Sequence, residues 1–250
     1  MADYTISETF TLPSKAMVYS SEFDPRITLR SMNLRDEMRR QSPSDRSYEK
    51  LAKLIDDCIV ENKPEISAYD MCMADYTFLL HKLRIVTYGS EYKMVVTCPY
   101  CYNSWIESFE LDSLKCKEYT EEVEKLKKIV LPASKKEITL ALQTPRMIDD
   151  VEVRNKEMMK KSDTRDDRTL ELTAQSIIEA VDGQFLDVAK KENFVKSLSM
   201  RDVNYLMQKA EKYNQSFGLS LNCSITCKTC GETFDTSFRY TSEFFRPTVD

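Results

Sequence analysis

Two C-x-x-C knuckles, Cys98-Pro99-Tyr100-Cys101 and Cys227-Lys228-Thr229-Cys230, constrain this chain more than any other feature. Each lies between stretches of strand-like alternation, 91–97 and 103–109 around the first and 219–226 and 232–238 around the second. A two-residue gap lets one knuckle offer two sulfurs to one ion, and zinc takes four tetrahedral ligands. Together Cys98, Cys101, Cys227 and Cys230 would close the shell around one structural zinc per chain and leave no position for substrate. Structural zinc contributes about 10–16 kcal/mol in small peptides, against about 5–15 kcal/mol for the whole stability of a domain. Here it would clamp residues about 130 positions apart. A dithiol redox pair is the competing reading, but that motif precedes a helix, whereas both pairs here lie between strands. Four unconnected thiols is a third reading, and exchange of knuckles between two chains stays open.

The two knuckle regions echo each other. At an offset of 129, Gly89 meets Gly218, Thr97 meets Thr226, Trp105 meets Phe234, Phe109 meets Phe238 and both cysteines coincide. Upstream, Met71 meets Met200 and Tyr76 meets Tyr205, with Asp70 and Ser199 at expected helix N-caps. Ile27-Thr28-Leu29 matches Ile138-Thr139-Leu140 at an offset of 111, which implies an 18-residue insertion around Lys160–Arg168.

The fold class expected is α+β and mostly helical: two pseudo-repeats of strand, helices and β-hairpin, joined by a four-cysteine zinc ribbon. Residues 1–20 read as an N-terminal arm, 21–111 as the first repeat and 112–127 as a polar connector; 128–243 is the second repeat and 244–250 a tail. Helices are expected near 33–40, 47–61 and 67–88, then near 145–161, 169–181, 185–196 and 200–216, with a hairpin near 128–143. Gly89, Gly183 and Gly218 suit helix ends.

Composition narrows the function. The four glycines, Gly89, Gly183, Gly218 and Gly231, are too scattered for a dinucleotide fingerprint or a P-loop. His81 is the only histidine, so multi-histidine metal sites are excluded and a Ser–His–Asp triad would have to be built on it alone. Within a helix pattern it reads as a packed residue. The pairs Asp56-Asp57, Glu121-Glu122 and Asp149-Asp150 read as solvated helix faces, since neighbours on a helix diverge. Cys58 and Cys72 read as buried small hydrophobes; Cys116 and Cys223 lack a partner at ligand spacing. These absences argue against an enzyme.

With 36 basic and 41 acidic residues the net charge is −5, which disfavours wholesale coating of nucleic acid. The six arginines between Arg26 and Arg46 and the lysines at 125, 127, 128, 135 and 136 are the local exceptions. Were nucleic acid the partner, binding would weaken steeply with salt. No stretch approaches the ~20 apolar residues of a membrane helix, and Met1–Phe10 does not read as an export signal. A reducing, cytoplasmic setting is therefore expected, with no membrane partner.

The order of features resembles the baseplate hub assembly proteins of contractile-tailed, T-even-type phages. The residues that carry it are Ile27-Thr28-Leu29 before a short helix, then 83–89 leading into Cys98-Pro99-Tyr100-Cys101, and a hairpin near 137–143. Cys227-Lys228-Thr229-Cys230-Gly231 and Phe244-Phe245-Arg246-Pro247 complete the order, and the resemblance spans about residues 20–247. It implies a non-enzymatic assembly factor, a chaperone for the central hub of a tail baseplate, acting through protein–protein binding in the cytoplasm of the infected bacterial host. The alternative it implies is a permanent structural subunit of the hub, retained in the virion tail. Partners would be other hub or hub-assembly proteins, with homo-oligomerisation left open. The aromatic pair Phe244-Phe245 could serve a partner surface or pack on the chain's own core.

Overall fold

The computed structural model describes residues 5–161, 166–238 and 242–245. Strand β1 (Ser7–Thr11) runs antiparallel to β2 (Arg26–Arg30), so part of the stretch expected to be an arm is paired in a sheet. Helices α1 (Leu34–Gln41) and α2 (Ser47–Cys58) follow, and β3 (Ile59–Glu61) returns to the free side of β2. Helix α3 (Met73–Tyr88) leads into the first knuckle hairpin, β4 (Glu91–Thr97) and β5 (Ser104–Glu110). A short β6 (Cys116–Lys117) and one turn of helix, α4 (Glu121–Glu124), connect to β7 (Lys128–Val130) and β8 (Glu137–Leu140). Then come α5 (Pro145–Lys161), α6 (Thr169–Ser176), β9 (Ile178–Val181) and β10 (Gln184–Phe185). Helices α7 (Val188–Ser197) and α8 (Met200–Asn214), β11 (Gly218–Leu219) and the second knuckle hairpin, β12 (Asn222–Thr226) and β13 (Thr233–Ser237), end the succession. The result is a mixed helix-and-strand fold with eight helices and five small sheets among the described residues.

Several expected helices stop short. Helix α2 ends at Cys58, because Ile59 and Val60 are β-branched and find the edge of β2. Helix α6 likewise ends at Ser176, and 178–181 pairs with β8. Gly183 does not end a helix: Asp182 and Gly183, both at positive φ, form the tight turn between β9 and β10. Helix α3 begins at Met73 with Cys72 at its N-cap, while Asp70 pairs with Arg146; Ser199 does cap α8.

Two apolar cores sit on either side of α3. One gathers Ile27, Leu29, Ile55, Leu79, Leu80 and Leu83 with Phe238, Phe244 and Phe245. The other gathers Leu131, Ile138, Leu140, Ile178, Leu206 and Phe217 with Cys72 and Ala74 from the start of α3. Two details recur in the two halves of the chain. The β2–β3 ladder shifts register between Thr28 and Leu29, and the β8–β9 ladder shifts between Thr139 and Leu140. Leu12-Pro13-Ser14 after β1 lies on Asp75, the third residue of α3; Ser14 donates its amide (3.0 Å) and hydroxyl to that carboxylate. Leu131-Pro132-Ala133-Ser134 after β7 lies on Asp202, the third residue of α8, through the Ala133 and Ser134 amides (2.8 and 2.9 Å).

The difference in length between the halves is spread out. Partner positions are 111 apart in β2 and β8, 119 in β3 and β9, 127 at the first residues of α3 and α8, and 129 at Gly89 and Gly218. On these correspondences the offset grows in steps and not at one 18-residue insertion near Lys160–Arg168, of which 162–165 lie outside the described residues. The stretch from the start of β9 to α8, which holds β10 and α7, is longer than that from the start of β3 to α3 by 8 residues, the step from 119 to 127.

Polar contacts bind the halves. Asp149 of α5 is fully buried and accepts from the amides of Tyr48 (3.4 Å) and Glu49 (3.0 Å). It thereby caps α2, whose own N-cap residue, Arg46, makes no side-chain cap. Arg46 in turn pairs with Asp150.

Candidate metal centre

Alternation along the two hairpins faces them toward each other. Trp105 of β5 meets Phe234 of β13 edge-on at 6.3 Å, and Phe109 meets Phe238 at 5.1 Å. On the outer side the rung next to each knuckle is a hydroxyl pair, Thr97–Ser104 at 2.9 Å and Thr226–Thr233 at 3.0 Å. These contacts bring the two hairpin ends together.

Each knuckle closes by the same pair of backbone bonds. Cys98 donates to Asn103 and accepts from Tyr102; Cys227 donates to Glu232 and accepts from Gly231. The residue after the second cysteine is left-handed in both, Tyr102 at φ 60° and Gly231 at φ 77°. Glycine takes that conformation freely, whereas tyrosine holds it at a cost of about 1–2 kcal/mol. Asn103 donates from Nδ2 to Thr229 Oγ1 at 2.9 Å, a direct tie between the knuckles.

The four sulfurs converge. Cys98 Sγ is 3.7 Å from Cys230 Sγ, Cys101 Sγ is 3.7 Å from Cys227 Sγ, and all four lie within 4.8 Å of one another. Four thiolates at about 2.3 Å from a tetrahedral ion lie about 3.8 Å apart, so the residues fit a bound metal ion. A disulfide needs about 2.05 Å, and the near pairs run between knuckles rather than within them. Strands, not helices, follow both C-x-x-C pairs, so no helix N-terminus is present to activate a redox thiol. Cys98 and Cys227 are buried, Cys101 half-buried and Cys230 exposed, which puts the cluster at the molecular surface.

The electrostatics favour a cation. Amides of Cys230 and Thr229 aimed at the Cys227 sulfur bring its thiol down to about 6, helped by the neighbouring sulfurs. The Glu232 amide favours a thiolate at Cys230, yet desolvation and the other three sulfurs outweigh it and push that thiol up to about 12. Four sulfurs this close can all ionise only around a positive charge.

The remaining candidates divide. His81 is buried, donates from Nε2 to the Leu111 carbonyl at 3.1 Å and stacks on Phe244, so its ring is a packing element. Glu121 and Glu122 are exposed as expected, but Asp149 is not: it is the cap of α2. Asp56 accepts from Ser67 Oγ and the Ala68 amide, and Asp57 pairs with Arg39. Cys58 and Cys72 are buried, and burial pushes the Cys58 thiol up to about 12. Five of the six arginines are paired within the chain: Arg26 with Asp24, Arg30 with Asp36, Arg39 with Asp57, Arg40 with Glu37 and Arg46 with Asp150. Lys127, Lys128 and Lys136 are paired too.

Phe244 and Phe245 pack into the first core, and the buried Arg84 donates to the Phe244 carbonyl; Arg246 and Pro247 lie outside the described residues. Sequence reasoning missed the Asn103–Thr229 tie and the left-handed Tyr102. The signal for the latter was Gly231, its partner at the offset of 129.

No helix among the described residues is long and apolar enough to cross a membrane. No curated protein and no solved structure matches the chain. A family model described as T4 bacteriophage base plate protein matches residues 4–246, nearly all of it, knuckles and cores included. With that span, the chain belongs to the T4 bacteriophage base plate protein family.

Proposed function

We propose that this chain is a non-enzymatic assembly factor for the central hub of a phage tail baseplate, acting by binding other baseplate proteins in the host cytoplasm. The observation that carries the reading is the family match over residues 4–246. The burial of His81 against Phe244 supports it, because the one imidazole of the chain is committed to packing. Internal pairing of the arginines supports protein over nucleic acid as partner, since counterion release needs uncommitted cations.

The metal in this reading is one structural zinc, with Cys98, Cys101, Cys227 and Cys230 as ligands. The 3.7 Å sulfur separations and the all-thiolate donor set favour it. The ion fills no catalytic role here; it holds two hairpins that are far apart in sequence. The body it closes is two pseudo-repeats of strand, helices and hairpin. Matching register shifts at Thr28/Leu29 and Thr139/Leu140, and matching loops on Asp75 and Asp202, support that organisation.

Native mass spectrometry of the protein, purified gently from the cells that produce it, tests both parts. One zinc per chain with a bound baseplate protein is expected. A metal-free, partner-free chain would overturn the reading. Proteomics of purified particles adds a second arm: absence is expected of an assembly factor, and stoichiometric recovery would replace it with a permanent hub subunit.

A further inference from the structure

Helix α1 is inside out. Its apolar residues Leu34 and Met38, four apart and on one face, are 77% and 67% exposed, while Asp36 and Arg40 are 2% and 7% exposed. An amphipathic helix on a globular protein ordinarily does the opposite. The inward charges are fully engaged. Asp36 accepts from Arg30 (2.6 Å) and from the Asn33 amide (2.9 Å), closing a capping box. Arg40 pairs with Glu37 and lies over the Phe245 ring at 5.3 Å. The helix is thus fastened by its polar side, and its apolar side is turned to solvent. There Leu34, Arg35, Met38, Arg39 and Ser42 line a shallow groove of about 560 Å³.

The charges around this groove select its occupant. Arg35, next to Leu34, makes no ion pair or side-chain hydrogen bond among the described residues and is the groove's uncommitted charge, whereas Arg39, next to Met38, is paired with Asp57. A second copy of α1 would bring arginines against arginines, because Asp36 and Glu37 are already committed to Arg30 and Arg40. We infer that α1 is a docking surface for another protein that presents apolar side chains flanked by carboxylates. The inference rests on the proposed function only for the identity of that protein as a baseplate component.

The test uses the full chain and a fluorescent 16-residue helical peptide with a leucine stripe flanked by glutamates, against its lysine-flanked counterpart. The glutamate peptide should bind at least tenfold tighter, with the preference shrinking as salt is raised. Arg35→Glu should abolish the preference, and the double variant L34S/M38S should abolish binding while leaving thermal melting unchanged, since both side chains are exposed. Equal binding of the two peptides, or undiminished binding by L34S/M38S, would overturn the inference. So would sedimentation with vesicles of one-third anionic lipid that the same variants abolish, since the groove would then serve a membrane surface. The peptide assay is independent of zinc and of phage proteins. A partner-free native spectrum with the peptide preference intact removes the baseplate reading and leaves the docking site; the reverse removes the docking site alone.

Discussion

The fold alters the chemistry of His81 in the pH range where proteins are handled. Burial pulls its pKa down to about 4 from the ordinary 6.5, against the bond to the Leu111 carbonyl, which favours the charged ring. Between those values the unfolded chain takes up a proton that the folded chain refuses. Stability attributable to His81 is therefore present at neutral pH and lost as pH falls from about 6.5 toward 4. At 1.36 kcal/mol per unit the loss is about 3 kcal/mol. His81→Gln keeps a donor near Leu111 without titrating. Urea unfolding at pH 7 and pH 4.5 should show a difference smaller by about 2–3 kcal/mol in the variant than in the parent. Acid release of any bound metal and protonation of carboxylates affect both proteins alike and cancel. Equal differences would place the titration elsewhere. The packing role itself was legible, because a lone histidine in an apolar helix has no chemical partner nearby. Asp149 was not legible: its role as a cap depends on α2, one hundred residues earlier in the chain.

At the scale of elements, the strands that were read as helix are the informative failures. Leu51, Leu54, Ile55 and Cys58 recur at helical spacing, and Ile59 continues the pattern; only the edge of β2, thirty residues away, makes it a strand. Residues 178–181 fail for the same reason, although Asp182-Gly183 was a local hairpin signal. The knuckle hairpins were legible because turn and alternation are both local.

The glycines before the hairpins look equivalent in sequence but are not equivalent in space. Both Gly89 and Gly218 have positive φ, 84° and 94°. A Cβ on Gly89 would meet nothing within 4 Å; one on Gly218 would sit 2.9 Å from Ala74 Cβ and 3.2 Å from its Cα, at the start of α3. Gly89→Ala should cost about 1–3 kcal/mol from backbone strain alone. Gly218→Ala should cost about 1–3 kcal/mol more, from overpacking of α3 against β11. In a double-mutant cycle, Ala74→Gly should recover part of the Gly218→Ala loss and none of the Gly89→Ala loss. Chemical denaturation of the parent, the three single variants and the two double variants checks it, and additivity at position 218 would rule out the clash.

For the whole molecule, the question is how far the metal cluster reaches. That the four cysteines belong together was legible from spacing, but not what surrounds them. The inner ends of both hairpins belong to the first core: Phe238 is part of it, and Tyr92, Met94, Phe109, Leu221 and Cys223 pack against it. Near the knuckles the support is thin: the Trp105–Phe234 contact, the Asn103–Thr229 bond, the ion pair of the exposed Lys228 with Glu107 at 3.2 Å and the sulfurs themselves. Neither core includes Cys98, Cys101, Cys227 or Cys230. The halves are fastened independently, through the Asp149 cap, the Arg46–Asp150 pair and the β6–β11 ladder. If the proposed ion holds the cluster, removing it with a chelator should therefore open the knuckle end and spare the body. Hydrogen exchange should quicken at 95–106 and 224–235, while β1–β3 and β7–β9 keep their protection. Cys230→Ser should give the same map without chelator. Protease cleavage should move to the knuckles, so that compactness is lost there first. If protection falls across both sheets together, the ion also sets the packing of one half on the other. In that case the contacts at Asp149 are too weak to hold the halves alone.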